Sequence, residues 1–173
     1  AEDKDANDSW KFIDEEMNLK DYLMFQANSV CMDELKKAAV HYIIEDMDEN
    51  GYIDDPIERI SKRINVSEDV IEDALKAVQK LEPVGIGARN LKECLLLQLR
   101  NLPERNLLAE EIVLNELAAF GKNQLKPIAS RLKASLKDVN EAGEIIRSLN
   151  PKPGNSYYSK KNLEYIIPDI IIE

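Results

Sequence analysis

Apolar residues recur at helical spacing along most of this chain. Leu35, Ala38 or Ala39, Tyr42 and Ile43 share one face, as do Ile71, Ala74 or Leu75, Val78 and Leu81, and later Val139, Ala142, Ile146 and Leu149. Spacing of three and four residues places such positions on one side of an α-helix, so the pattern predicts amphipathic helices that bury one stripe each. Ser67 with Glu68 and Asp69 behind it predicts a helix start, because a serine side chain can accept from a first-turn amide and acids suit the positive end of the helix. Ser135 predicts another. Two segments predict stops, Glu82-Pro83-Val84-Gly85-Ile86-Gly87 and Asn150-Pro151-Lys152-Pro153-Gly154, since proline cannot continue a helix and glycine releases the backbone. Residues 155 to 173 change character: Tyr165-Ile166-Ile167-Pro168-Asp169-Ile170-Ile171-Ile172 is β-branched around a proline and predicts a short extended tail leading into a downstream region. Residues 1 to 17, mostly charged or small, predict a disordered lead-in.

The pattern is written twice. Asn18-Leu19-Lys20-Asp21-Tyr22-Leu23-Met24-Phe25-Gln26 returns as Asn90-Leu91-Lys92-Glu93-Cys94-Leu95-Leu96-Leu97-Gln98, an offset of 72. Ile60-Ser61-Lys62-Arg63-Ile64, Ser67, Ala74, Leu81 and Pro83 return as Ile128-Ala129-Ser130-Arg131-Leu132, Ser135, Ala142, Leu149 and Pro151, an offset of 68. A deletion of four residues inside the second copy accounts for the difference. The expected fold is all-α, with two tandem related helical lobes of about four helices each, spanning 18–84 and 89–154 and separated by a glycine-containing joint at 85–88. Because the joint interrupts helicity between units that each carry their own apolar faces, the lobes are expected to be separable bodies meeting at a modest interface.

Charge narrows the possible functions. Residues 1 to 55 hold 16 acids against 5 bases, whereas residues 56 to 173 hold 17 against 18, within a net charge of -10. Such a balance opposes a sheath of phosphate contacts as the main business of the chain. A local basic patch remains at residues 126 to 161, with 8 bases against 3 acids, and makes Lys133, Lys137 and Lys152 candidates for secondary nucleic-acid contact. No apolar run approaches the ~18 residues of a spanning helix, and no basic-then-apolar leader opens the chain. Cys31 and Cys94 form no framework; Cys94, inside an apolar run, is expected to be a buried free thiol in a reducing, cytoplasmic setting.

Candidate chemistry is sparse. Asp46 to Asp54 imitates the opening of a calcium-binding EF-hand loop, with oxygen-bearing residues at positions 1, 3 and 5 and Gly51 at 6, but position 12 is Ile57 where a bidentate carboxylate belongs. Helix-turn-helix spacing occurs twice, at Ile60, Ile64, Ser67 and Ile71 and at Ile128-Ala129, Leu132, Ser135 and Val139. The first candidate groove helix presents Glu68, Asp69, Glu72 and Asp73, a face that duplex phosphates repel. His41 is the only histidine, and Gly85-Ile86-Gly87-Ala88-Arg89 lacks the residues of a nucleotide-binding loop, so no catalytic constellation, cofactor or metal is expected. A calcium-binding helical module and an autonomous helix-turn-helix DNA-binding protein stay open as alternatives.

Four separated motifs, Asn18 to Leu23, Asp48 to Ile53, Glu82 to Leu99 and Ser148 to Gly154, together resemble the core-binding region of bacterial sigma-54 transcription factors. Glu82 and Ile86 stand where that family usually carries Asp and Val, both conservative departures. The resemblance implies a monomeric, non-enzymatic segment that binds core RNA polymerase, with promoter DNA and an ATP-dependent activator engaged only through the full-length factor. It also implies that Pro83, Gly85, Gly87, Arg89, Asn150, Pro151, Pro153 and Gly154 are the candidate polymerase-contact or joint residues.

Overall fold

A computed structural model describes residues 18–30 and 32–155. The expectations for the lead-in, for Cys31 and for the extended tail beyond residue 155 lie outside them. Among the described residues the chain forms nine helices and no strand: α1 Leu19–Asn28, α2 Glu34–Asp46, α3 Ile57–Ile64, α4 Glu68–Gln79, α5 Leu91–Arg100, α6 Leu107–Asn115, α7 Leu117–Gly121, α8 Leu125–Leu132 and α9 Leu136–Arg147. None is long and apolar enough to cross a membrane.

Helix lengths carry the repeat. α1 and α5 each have 10 residues, α3 and α8 each 8, and α4 and α9 each 12. The same local chemistry starts and stops them. Asn18 accepts from the amide of Asp21 and Asn90 from that of Glu93, both at 2.9 Å, so each copy opens on an asparagine cap. α3 ends on Asn65 at φ 55° and α8 on Lys133 at φ 54°, left-handed caps that turn the chain into the next helix. Ser135 accepts from the amide of Asp138, whereas Ser67 sits at its cap position with no side-chain bond to the helix.

The copies diverge between their second and third helices. α2 is continuous for 13 residues and leads into a long loop, 47–56, while its counterpart breaks at Glu116 into α6 and α7 and leads into a loop of residues 122–124. The fall in repeat offset is absorbed there. Glu116 is held at the break by a paired ion bridge from Arg131, with Arg131 Nη2 at 2.7 Å.

Apolar side chains gather into two clusters. One is built from Leu23, Ile43, Ile44, Ile60, Ile71 and Val78 of α1–α4 and closed by Ile86. The other is built from Leu99, Ile112, Val113, Ile128, Val139 and Ile146 of α5–α9. Burying each such side chain contributes about 1.5–3 kcal/mol, which is the main drive for both. One buried charge interrupts the second cluster's edge: Glu110, 5% exposed, takes a forked pair of bonds from Arg105 at 2.6 and 3.0 Å. Leu35, expected on the buried face of α2, is 59% exposed in its first turn.

Candidate functional site at the junction of the repeats

The two repeats are fastened by the same device used twice. Gln26 donates to the carbonyl of Glu82 at 2.7 Å and accepts from its amide at 2.9 Å; Gln98 donates to the carbonyl of Asn150 at 2.7 Å and accepts from its amide at 2.8 Å. In each copy a glutamine from the first helix therefore satisfies both main-chain groups of the residue before the proline that ends the last helix. A side-chain amide suits this, having one donor end and one acceptor end in a plane.

Around these two stops the 48–53 loop serves as a wedge. Asp48 Oδ1 accepts from the amides of Asn50 and Tyr52 at 2.9 and 3.0 Å, which folds the loop into a tight turn. Gly51, at φ 94°, accepts from the amide of Gly87 at 2.9 Å, and the amide of Ile53 donates to Ala88 at 3.0 Å, so Tyr52 and Ala88 form a single parallel bridge. On the other side Asn50 accepts from the amide of Gly154 at 3.0 Å, and the Tyr52 hydroxyl donates to the carbonyl of Pro151. One loop thus clasps both helix stops.

Glycine is needed here for close approach. A methyl on Gly85, at φ 104°, would lie 2.9 Å from Gln98 Nε2, 3.1 Å from Cys94 Sγ and 3.3 Å from Pro153 Cγ. The sequence marked 85–88 as a glycine-containing joint that interrupts helicity; the structure describes a buried turn there, with Gly85, Ile86, Gly87 and Ala88 all enclosed and cross-bonded. Gln79 adds a bond to the carbonyl of Gly87 at 3.1 Å. The enclosed seam raises the pKa of its two weak acids. Burial first, and Cys94 beside it second, push the Tyr52 phenol well above its ordinary value, and burial pushes the Cys94 thiol up. Both stay protonated and act as neutral packing and bonding groups.

The structure brings all eight candidate joint residues to this seam, in three different settings. Gly85, Gly87, Pro153 and Gly154 are buried, Pro83 and Asn150 are half-buried, and Arg89 and Pro151 are exposed. Arg89 pairs with Glu93 at 2.9 Å. Buried members can position a surface but cannot touch a large partner. Lys133, Lys137 and Lys152 are all exposed yet do not form one patch: the first two flank the start of α9 and the third follows its end, about 18 Å of helix away. Sequence reasoning missed Gln26, Tyr52 and Gln79 as site residues. For Gln26 the signal was present, as the glutamine repeated at residue 98.

No group of three or more histidine, cysteine, aspartate or glutamate side chains among the described residues could hold a metal ion. His41 bonds Asn28 at 3.2 Å. The outer face of α4 does expose Glu68, Asp69, Glu72 and Asp73.

The family description "Sigma-54 factor, core binding domain" matches residues 8–173. The chain is 37% identical over 159 residues to an RNA polymerase sigma-54 factor of Acidithiobacillus ferridurans, covering 90% of this chain and 33% of that protein. It is 36% identical over 154 residues to the one of Bacillus subtilis, covering 89% and 35%, and 32% identical over 181 residues to the one of Escherichia coli, covering 95% and 37%. The chain therefore spans about a third of the length of these relatives. With the repeated glutamine clasp, the loop 48–53 and the stop at 150–154 all falling within the matched stretch, the chain belongs to the sigma-54 factor core-binding-domain family.

Proposed function

We propose that this chain binds core RNA polymerase as the core-binding segment of a sigma-54-type transcription initiation factor, with a first lobe over 18–84, a second over 89–154 and residues 85–88 between them. The observation that carries the proposal is the convergence of three motifs, 48–53, 82–89 and 150–154, on one seam inside a chain that matches the core-binding family over residues 8–173. Such a seam fixes the relation between two helical units, so that exposed residues on both meet a large partner as one preorganised surface. Arg89 and Pro151 are the contact candidates on its rim, and Pro83, Gly85, Gly87, Asn150, Pro153 and Gly154 hold it in shape.

The segment works as a binding module, without catalysis, as a monomer in the bacterial cytoplasm. Promoter DNA and the ATP-dependent activator are engaged by other parts of the full factor, with Lys133, Lys137 and Lys152 as secondary contacts. A net charge of -10 supports that division, since it disfavours phosphate approach. The test is a binding titration of labelled chain with purified core polymerase, run beside a gel shift with promoter duplex. Saturable polymerase binding without a sequence-specific shift at physiological salt is expected; tight promoter binding with no polymerase binding refutes the proposal.

A further inference from the structure

The end of α1, the first half of α2 and the second half of α4 border an open apolar groove of about 340 Å³. Ala27, Val30, Met32, Ala77 and Leu81 make its apolar lining, and no residue of the seam takes part. Ala27 and Leu81 are buried members of the first cluster, whereas Val30 is 55% exposed and Met32 half-buried, so the core ends here in a surface that water wets. The charged residues of the groove are Lys36, Lys76 and Lys80 against a single acid, Asp73. None of the three lysines has an ion-pair partner among the described residues, although the chain carries a net charge of -10. Lys76 and Lys80 sit at the end of α4, where the helix dipole favours a cation, but Lys36 sits in the first turn of α2, where it does not.

The lining decides between kinds of occupant. A small-molecule site needs a few precisely placed polar groups among its apolar ones, and the polar side chains here are flexible lysines and one aspartate. An added strand needs a sheet edge, and the described residues form no strand. A proline-rich segment needs aromatic walls, and no aromatic residue lines the groove. An amphipathic helix fits, because it asks only for an apolar trough flanked by charge of the opposite sign. Lys76 and Lys80 are four residues apart, about 6 Å along α4 and its end, which matches two carboxylates at i and i+4 of a helix lying alongside. We propose that this groove docks an acidic amphipathic helix of a partner protein, its bulky apolar side chains set over Ala27 and Ala77 and its carboxylates facing Lys36, Lys76 and Lys80. It is a second protein-docking surface, apart from the rim residues Arg89 and Pro151, and it does not depend on the sigma-54 reading.

The probe is a fluorescein-labelled, hydrocarbon-stapled helical peptide of about 15 residues, with leucines along one face and glutamates flanking them. One control peptide replaces the glutamates with lysines, and another replaces the leucines with alanines. Anisotropy titrations against the whole chain should show saturable binding of the leucine–glutamate peptide and several-fold weaker binding of both controls. The net charge of -10 by itself favours the lysine peptide, so non-specific attraction gives the opposite order. Raising ionic strength should weaken binding, because the screening length falls from about 10 Å at 0.1 M to about 3 Å at 1 M salt. Val30→Glu should weaken it several-fold. Lys36→Glu combined with Lys76→Glu and Lys80→Glu should reverse the preference toward the leucine–lysine peptide, which loss of the fold cannot do. All substituted positions are exposed or half-buried, and circular dichroism checks that each variant keeps its helices. Absence of saturable binding overturns the proposal, as does equal binding of the acidic and basic peptides, or binding that survives both sets of substitutions. Self-association of the unaltered chain that Val30→Glu abolishes, seen by sedimentation, would make a second copy the occupant and overturn it too.

Discussion

A single methyl group at Gly154 should loosen the seam more than almost any other change of its size. The Cβ of an alanine there would fall 2.7 Å from the carbonyl carbon of Asn50 and 2.9 Å from that of Glu49, where carbon atoms need about 3.5–4.0 Å. Those neighbours are main-chain atoms of a turn already held by Asp48, so they cannot swing aside as a flexible side chain would. Relief requires residues 150–154 to back away by about an ångström, which breaks the 3.0 Å bond from Gly154 to Asn50 and draws Pro151 from the Tyr52 hydroxyl. Overpacking costs about 1–3 kcal/mol and a lost hydrogen bond about 1 kcal/mol, giving roughly 2–4 kcal/mol for Gly154→Ala. Gly121→Ala is the control. Nothing lies within 4 Å of a Cβ at Gly121, which closes α7, so that variant should be neutral or slightly stabilising. Urea unfolding followed by circular dichroism measures both. A Gly154→Ala variant within about 0.5 kcal/mol of the parent chain, the range of ordinary surface changes, would refute the close-packed seam.

Gln98→Ala should destabilise by roughly 1–3 kcal/mol, because it strands the half-buried amide and carbonyl of Asn150, and Gln26→Ala by less, because Glu82 is exposed and water can replace the lost partner; equal urea midpoints for the two variants would contradict this. The Arg105 guanidinium holds Glu110 below its ordinary 4.5 against the opposing effect of burial. Its folded value lies below its unfolded one, so the stability it contributes is fully present above 4.5 and is lost as pH falls through the folded value. Unfolding midpoints titrated over that acid window should drop in the parent chain and flatten in Glu110→Gln; identical acid limbs would count against the pair. Hydrogen exchange should be slow at the amides of Gly87 and Ile53, which are buried and bonded across the seam, and faster at Arg89 and Asn90, which are exposed. Fast exchange at Gly87 would restore the picture of a loose joint.

Much of the helical plan was legible because its signals are local. Ser135 caps its helix by reaching three residues along the chain, and Pro83 and Pro151 stop helices without help from elsewhere; Ser67, also expected as a start, sits at its cap position without a side-chain bond, and in the sequence the caps at Asn18 and Asn90 are legible only as repeat positions. Periodicity put Leu35, Ala38 or Ala39, Tyr42 and Ile43 on one buried face; Ala39 and Ile43 are buried and Tyr42 half-buried, but the pattern overreached at Leu35, since a shared face does not say how far along the helix a neighbour extends. At the candidate site the sequence names the residues without naming their neighbours. Glycines that allow a chain to bend and glycines that allow two chain segments to touch look alike in sequence. What separates the two roles at Gly85 is Cys94, Gln98 and Pro153, and at Gly154 it is Glu49 and Asn50, partners up to about a hundred positions away. In the EF-hand-like stretch, Asp48 and Gly51 form a turn in which one carboxylate oxygen accepts from two amides.

Duplication explains why the seam is lopsided. Each copy has the same glutamine clasp on its own last-helix stop, so each stop begins with one fastening from its own first helix. The first copy adds a second fastening through its 47–56 loop, which bonds Gly87 and Ala88. The second copy has only residues 122–124 at the equivalent place, too short to reach its stop in that way. The loop of the first copy bonds the second stop as well, through Asn50 and Tyr52, so the 48–53 loop is shared between the two stops. The shorter connection in the second copy thus goes with a loop of the first copy that bonds both stops. Pulling them apart must break the Gly154 and Tyr52 bonds and expose the face on which Gly85 meets Pro153. The rim residues Arg89 and Pro151 then keep their mutual placement only while that loop is intact.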